Sequence, residues 1–65
     1  MRYQKGQEFL IRSDLQSPPY KVRIIDIDEK LDMYHLQKLG HRVQFWLCEV
    51  FLDRYIADVD RRDES

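Results

Sequence analysis

A mainly β fold, a small five-stranded barrel with one short helical turn before the last strand, is predicted by three features of this 65-residue chain. Tyr20–Asp28 is its longest run of β-branched residues. The runs on either side of Gly40-His41 sort their apolar residues onto one face only when folded back as a hairpin. Leu31, Met33, Tyr34, Leu36 and Leu39 point to all sides of a helical wheel, so the 31–39 segment carries no helical stripe.

The chain order justifies each element. Residues 1–5 form a polar start expected to fray. Gly6-Gln7-Glu8 leads into a strand at Phe9-Leu10-Ile11, with Phe9 and Ile11 on one face and Leu10 and Arg12 on the other. Ser13–Pro19 is a loop, because Asp14 and Ser17 favour turns and Pro18-Pro19 removes two backbone donors.

In the central strand Val22 and Ile24 share one parity, while Ile25 and Ile27 share the other. So short a chain has too little protein to cover both faces of a sheet. The parity switch therefore predicts a bulge in a long bent strand, of the kind with which small barrels close on themselves. Asp28-Glu29-Lys30 is the next turn.

A two-residue type II′ turn at Gly40-His41 pairs Leu36 with Phe45, His35 with Trp46 and Tyr34 with Leu47. It collects Tyr34, Leu36, Val43, Phe45 and Leu47 on one face and His35, Gln37, Gln44 and Trp46 on the other. A single helical turn at Glu49–Asp53 and a last strand at Tyr55–Val59 fit the remaining length. A helix over 48–57 is the alternative. Residues 60–65 are a charged tail expected to be disordered, which leaves 6–59 as a single domain.

Size and composition narrow the function. A domain of this length buries roughly 60% of its unfolded surface, so self-association is the natural source of further buried area. Cys48 is the only cysteine, which suits a reducing compartment, and the expected location is the cytoplasm. Residues 1–11 lack the apolar stretch of a signal peptide. Eleven Lys and Arg against twelve Asp and Glu give a net charge of -1. Without a basic surplus, binding of nucleic acid through phosphates is disfavoured.

The spacing of Gly6-x-x-Phe9, Tyr20–Asp28 and Phe51-Leu52-x-Arg54-Tyr55 resembles that of short Tudor-like (Src-homology-3-like) proteins of bacteriophage and mobile-element origin. That likeness spans about residues 6–59 and implies a small five-stranded barrel without an assigned activity. A narrower likeness lies in Val43-Gln44-Phe45-Trp46, which resembles the Val-Gln-Ile-Tyr segment of plasmid-borne, trimethoprim-insensitive dihydrofolate reductases. In that family four barrels enclose a pore, and the resemblance would put Gln44 in its lining and Trp46 in place of the tyrosine. The family's basic first strand is missing, since Phe9-Leu10-Ile11-Arg12 contains no lysine.

The residues themselves point to one surface. His35, Gln37, Gln44 and Trp46 set an aromatic among polar donors and acceptors, a pattern suited to contact with a protein partner or a second copy of the chain. The plainer alternative covers Trp46 with a chain terminus and leaves its neighbours solvated. Lys21, Arg23, Arg42 and Trp46 are the candidates for a nucleic-acid-binding barrel.

Asp26, Asp28, Glu29 and Asp32 read as a solvated turn, because Lys30 and Leu31 stand where a calcium loop needs an oxygen ligand and a glycine. His35, His41 and Cys48 lack the paired spacing of a metal site. No cofactor motif is present, no nucleophile has a visible base, and one chain this small can hardly enclose a catalytic pocket. The expectation is a non-enzymatic interaction or regulatory module, homo-oligomeric, encoded by a mobile element. A nucleic-acid-binding barrel is the alternative, and a pore-forming reductase the next.

Overall fold

The structure, a computed structural model, describes residues 2–12, 14 and 16–60, with only the backbone described at 60. Four antiparallel strands follow one another in an open meander, and a helix comes after them: β1 (Glu8–Ile11), β2 (Tyr20–Asp28), β3 (Met33–Lys38), β4 (Gln44–Cys48) and α1 (Glu49–Asp60).

The parity switch in β2 is a bulge. The β2–β3 register shifts between Ile24 and Asp26, so Val22 and Ile24 face inward before it and Ile27 faces inward after it. Asp26 and Asp28 are thereby turned outward, opposite His35 and Met33. In the β3–β4 hairpin Gln37, Leu36, His35 and Tyr34 stand opposite Gln44, Phe45, Trp46 and Leu47, the register expected.

The hairpin turn differs from expectation. His41 N–H donates to the Lys38 carbonyl at 3.2 Å, and Lys38 N–H to the Val43 carbonyl at 2.9 Å. The turn therefore runs from Lys38 to His41, with Gly40 (φ 82°) third, where a type II turn needs a positive φ. Leu39 does not pair with Arg42, because its N–H is held by the Lys21 carbonyl at 3.0 Å. A Cβ at Gly40 would meet open space, so Gly40→Ala should cost only backbone strain, about 1 kcal/mol. A free energy of unfolding in urea titration lowered by that amount, and by less for Gly40→Asn, is the expected result.

The larger correction concerns the C-terminal third. Tyr55–Val59, expected as a fifth strand, is the second half of α1. Leu52, Tyr55, Ile56 and Val59 fall at helical spacing and face the sheet, with Leu52 fully buried and Val59 nearly so. No fifth strand or barrel closure occurs among the described residues. Instead α1 crosses the inner face from β4 towards β1, over a core of Ile11, Val22, Ile24, Tyr34, Leu36 and Leu52. Residue 60, expected in the charged tail, belongs to this helix, while the rest of the tail, 61–65, lies outside the described residues.

Both helix ends are tied to the sheet. Glu49 N–H donates to the Asp32 carbonyl at 2.9 Å, and the Glu49 carboxylate suits the positive end of the helix dipole. The last turn has no basic residue of its own. Arg12 supplies one, its N–H donating to the Tyr55 carbonyl at 3.2 Å and its Nη2 to the Asp58 carbonyl at 2.6 Å. The second bond takes up a carbonyl of the last turn that the helix end leaves open, and together the two explain why Arg12, expected on the outer face, is buried.

The first residues, expected to fray, carry bonds to α1 and β3. Arg2 N–H reaches Glu49 Oε2 at 3.2 Å, and Arg2 Nη1 reaches Asp53 Oδ2 at 2.7 Å. The Tyr3 ring meets Phe9 and Tyr34 edge-on, and its hydroxyl donates to Asp53.

Candidate functional site

Because α1 covers one face of the sheet only, the opposite face is a single exposed layer built by strand alternation. Glu8 and Leu10 of β1, Lys21, Arg23, Asp26 and Asp28 of β2, Met33, His35 and Gln37 of β3, and Gln44, Trp46 and Cys48 of β4 share it.

The four residues expected to form a contact surface are brought together here. The Lys38–Val43 bond fixes the hydrogen-bonding phase of the hairpin, making His35 and Trp46 a non-hydrogen-bonded pair with closely approaching side chains. Their rings stack at 4.5 Å between centroids and 9° between planes. One row along, Gln44 Nε2 donates to Gln37 Oε1 at 2.8 Å, and Gln37 Nε2 donates to the His41 carbonyl at 2.6 Å. The glutamines brace each other and the turn, while the indole stays 46% exposed.

Two shallow depressions meet at the indole. One, of about 450 Å³, is lined by Asp26, Ile27, Asp28, Glu29, Lys30 and Trp46. The other, of about 340 Å³, is apolar and lies between Leu31, Met33, Trp46 and Asp28. Asp28 holds the turn beneath them, its Oδ1 accepting from Lys30 N–H at 3.1 Å and Leu31 N–H at 3.3 Å. Asp26, Asp28, Leu31 and Met33 were not singled out as site residues by sequence reasoning. The signal was present: extending the hairpin register one step pairs Met33 with Cys48, and the bulge that resets parity turns both aspartates outward.

The candidate phosphate-binding residues do not gather around Trp46. Lys21, Arg23 and Arg42 lie towards the hairpin turn, and Arg23 is held by Glu8 through Nε at 2.9 Å and Nη2 at 2.6 Å. The indole sits at the other end, beside Asp26 and Asp28, whose charges repel phosphate.

The outer face thus has a basic end and an acidic end. Among the described residues no three His, Cys, Asp or Glu side chains are grouped to hold a metal ion. No described helix is long and apolar enough to cross a membrane.

Under the sheet, Tyr34 gathers a second polar cluster. Its hydroxyl donates to Glu49 Oε2 and accepts from Tyr3 N–H at 3.2 Å. Burial, followed by the bond to Glu49, pushes the Tyr34 phenol up to about 12. The Tyr34 hydroxyl, followed by Arg2 N–H, holds the Glu49 carboxyl below its usual range. Burial and then Asp53 raise the Tyr3 phenol. This cluster joins the N-terminal segment, β3 and α1, a structural role.

No family model, no curated protein and no solved structure matches the chain.

Proposed function

We propose that the protein is a non-enzymatic interaction module that binds a protein partner through the outer face of its sheet. The observation that carries this reading is the His35–Trp46 stack, which holds a half-exposed indole in one orientation on a face with no second layer. A fixed aromatic loses little side-chain freedom on binding, and tryptophan is enriched among the residues that dominate interface energies. Asp26 and Asp28 beside the indole favour a partner segment that lays a basic side chain there, with an apolar neighbour against Leu31 and Met33.

The test places a photo-reactive side chain at Leu31, on the rim of the apolar depression, and in a second protein at Arg54, on the outward side of α1. In cells, illumination should attach a protein to position 31 and none to position 54. Adding Trp46→Ala should abolish the adduct while leaving the circular dichroism unchanged, as expected for a loss of about 2 kcal/mol or roughly thirty-fold in affinity. Equal adducts at both positions, or an adduct that survives Trp46→Ala, would overturn the reading.

A further inference from the structure

We infer that β4 is an interface at which two copies of the chain join edge to edge and antiparallel, merging two four-stranded sheets into one of eight. This deepens the reading of a protein-contact module by naming one partner as a second copy. It rests on backbone groups of β4 rather than on side chains of the outer face.

The hydrogen-bonding phase of the hairpin turns the Phe45 and Leu47 backbone towards β3. The N–H and C=O of Gln44 and Trp46, and the N–H of Cys48, therefore point away from the sheet. None of them has a backbone partner among the described residues.

The two edges of the sheet are treated differently by the sequence. β1 carries the charged Glu8, and its end is covered where Arg12 N–H meets the Tyr55 carbonyl of α1. β4 reads Gln-Phe-Trp-Leu-Cys, with no charge, no proline and an unbroken register. Those are the devices by which edge strands avoid pairing, and β4 has none of them. The helix that follows β4 leaves towards β1 over the inner face, so it does not cover the edge.

The edge is also complementary to itself about a two-fold axis at Trp46. Antiparallel pairing there sets Trp46 opposite Trp46 of the second copy and Gln44 opposite its Cys48. Val43 (50% exposed) then comes alongside Val50 (66% exposed) of the other chain, covering two apolar side chains that the monomer leaves in water. Beyond them Arg42, exposed in the hairpin turn, lies against Glu49 and the Asp28–Asp32 turn, which adjoins Glu49 through the Asp32 carbonyl. The symmetry makes each contact twice. It also sets both indoles side by side on one continuous outer face.

Sedimentation at about 100 μM should give the mass of two chains. Gln44→Pro removes an outward N–H that the monomer does not use, and an edge strand tolerates it. It should weaken self-association at least tenfold without changing the circular dichroism.

Should that variant fail to fold, Gln44→Cys tests the same register. Opposed residues stand about 5.5 Å apart at Cα, within disulfide range, so mild oxidation should join the introduced thiol to Cys48 of the second copy. The two native Cys48 residues would be four positions out of register, roughly 13 Å apart, and should not join. A one-chain mass, a dimer indifferent to Gln44→Pro, or a link other than the one between positions 44 and 48 would overturn the inference. A dimer that persists while Trp46→Ala abolishes the adduct at position 31 supports both readings. Loss of one result without the other identifies which has failed.

Discussion

Leu52→Ala should come close to unfolding the protein. Leu52 is fully buried where α1 meets the sheet, in contact with the Ile11, Val22, Ile24, Tyr34 and Leu36 core. Truncating such a leucine costs about 2–5 kcal/mol, from the lost transfer of its methyl groups and the cavity left behind. At ~0.05–0.15 kcal/mol per residue, a domain of 65 residues has about 3–10 kcal/mol in all.

Urea titration should show the midpoint falling by half or more, or no cooperative transition. Arg54→Ala, two residues on and exposed, should change stability by no more than about 0.5 kcal/mol. The contrast is specific to a helix. In a strand, residues 52 and 54 would share a face, whereas in α1 they lie on opposite sides. Equal losses at both positions would contradict the helix.

Tyr34→Phe should be the next most damaging change among those considered, and it should alter the pH dependence of stability at both extremes. Removing the hydroxyl leaves the Tyr3 N–H without its acceptor and Glu49 with only the Arg2 N–H as donor, a loss of about 1–3 kcal/mol at neutral pH.

In the wild type the phenol titrates at about 12 in the folded protein, against 10 for the free side chain. Its raised value means that its stabilising contribution is complete below pH 10 and is lost as pH climbs from 10 to about 12. Glu49 behaves in the opposite sense. Its lowered value gives a contribution present above its ordinary 4.5 and lost as pH falls through the depressed value. Denaturant midpoints measured across both ranges should show the two slopes in the wild type. In Tyr34→Phe the acid slope should shrink, and the alkaline slope should fall to the part due to Tyr3. Unchanged slopes in the variant would remove Tyr34 as the hub of this cluster.

The sheet was legible in the sequence because a strand's period of two leaves few ways to bury Val22, Ile24, Tyr34 and Leu36 together. The same constraint exposed the bulge at Ile25 and fixed His35 opposite Trp46. The turn at Gly40 was misread by one residue, because its phase depends on the Leu39 N–H being captured by Lys21, a contact no local pattern encodes.

The C-terminal helix was obscured by its own composition. Val50 and Phe51 are exposed apolar residues that break the stripe formed by Leu52, Tyr55, Ile56 and Val59, and a run so rich in valine, tyrosine and isoleucine also suits a strand. Of the candidate site, the stacked pair and the two glutamines were legible. The aspartates around the indole were not, because they reach it only through the bulge.

The hold that Arg12 takes on the far end of α1 has a consequence for how the protein folds. The first strand and the last helix of the described chain touch, so the core contains contacts between nearly the most distant residues available. Such non-local contacts slow folding, because the ends of the chain must meet before they can form. During folding, β1–β4 can pair while their inner face stays open. That face is sealed only once α1 has docked as far as Val59, so the paired sheet depends on this helix to shield it from other chains.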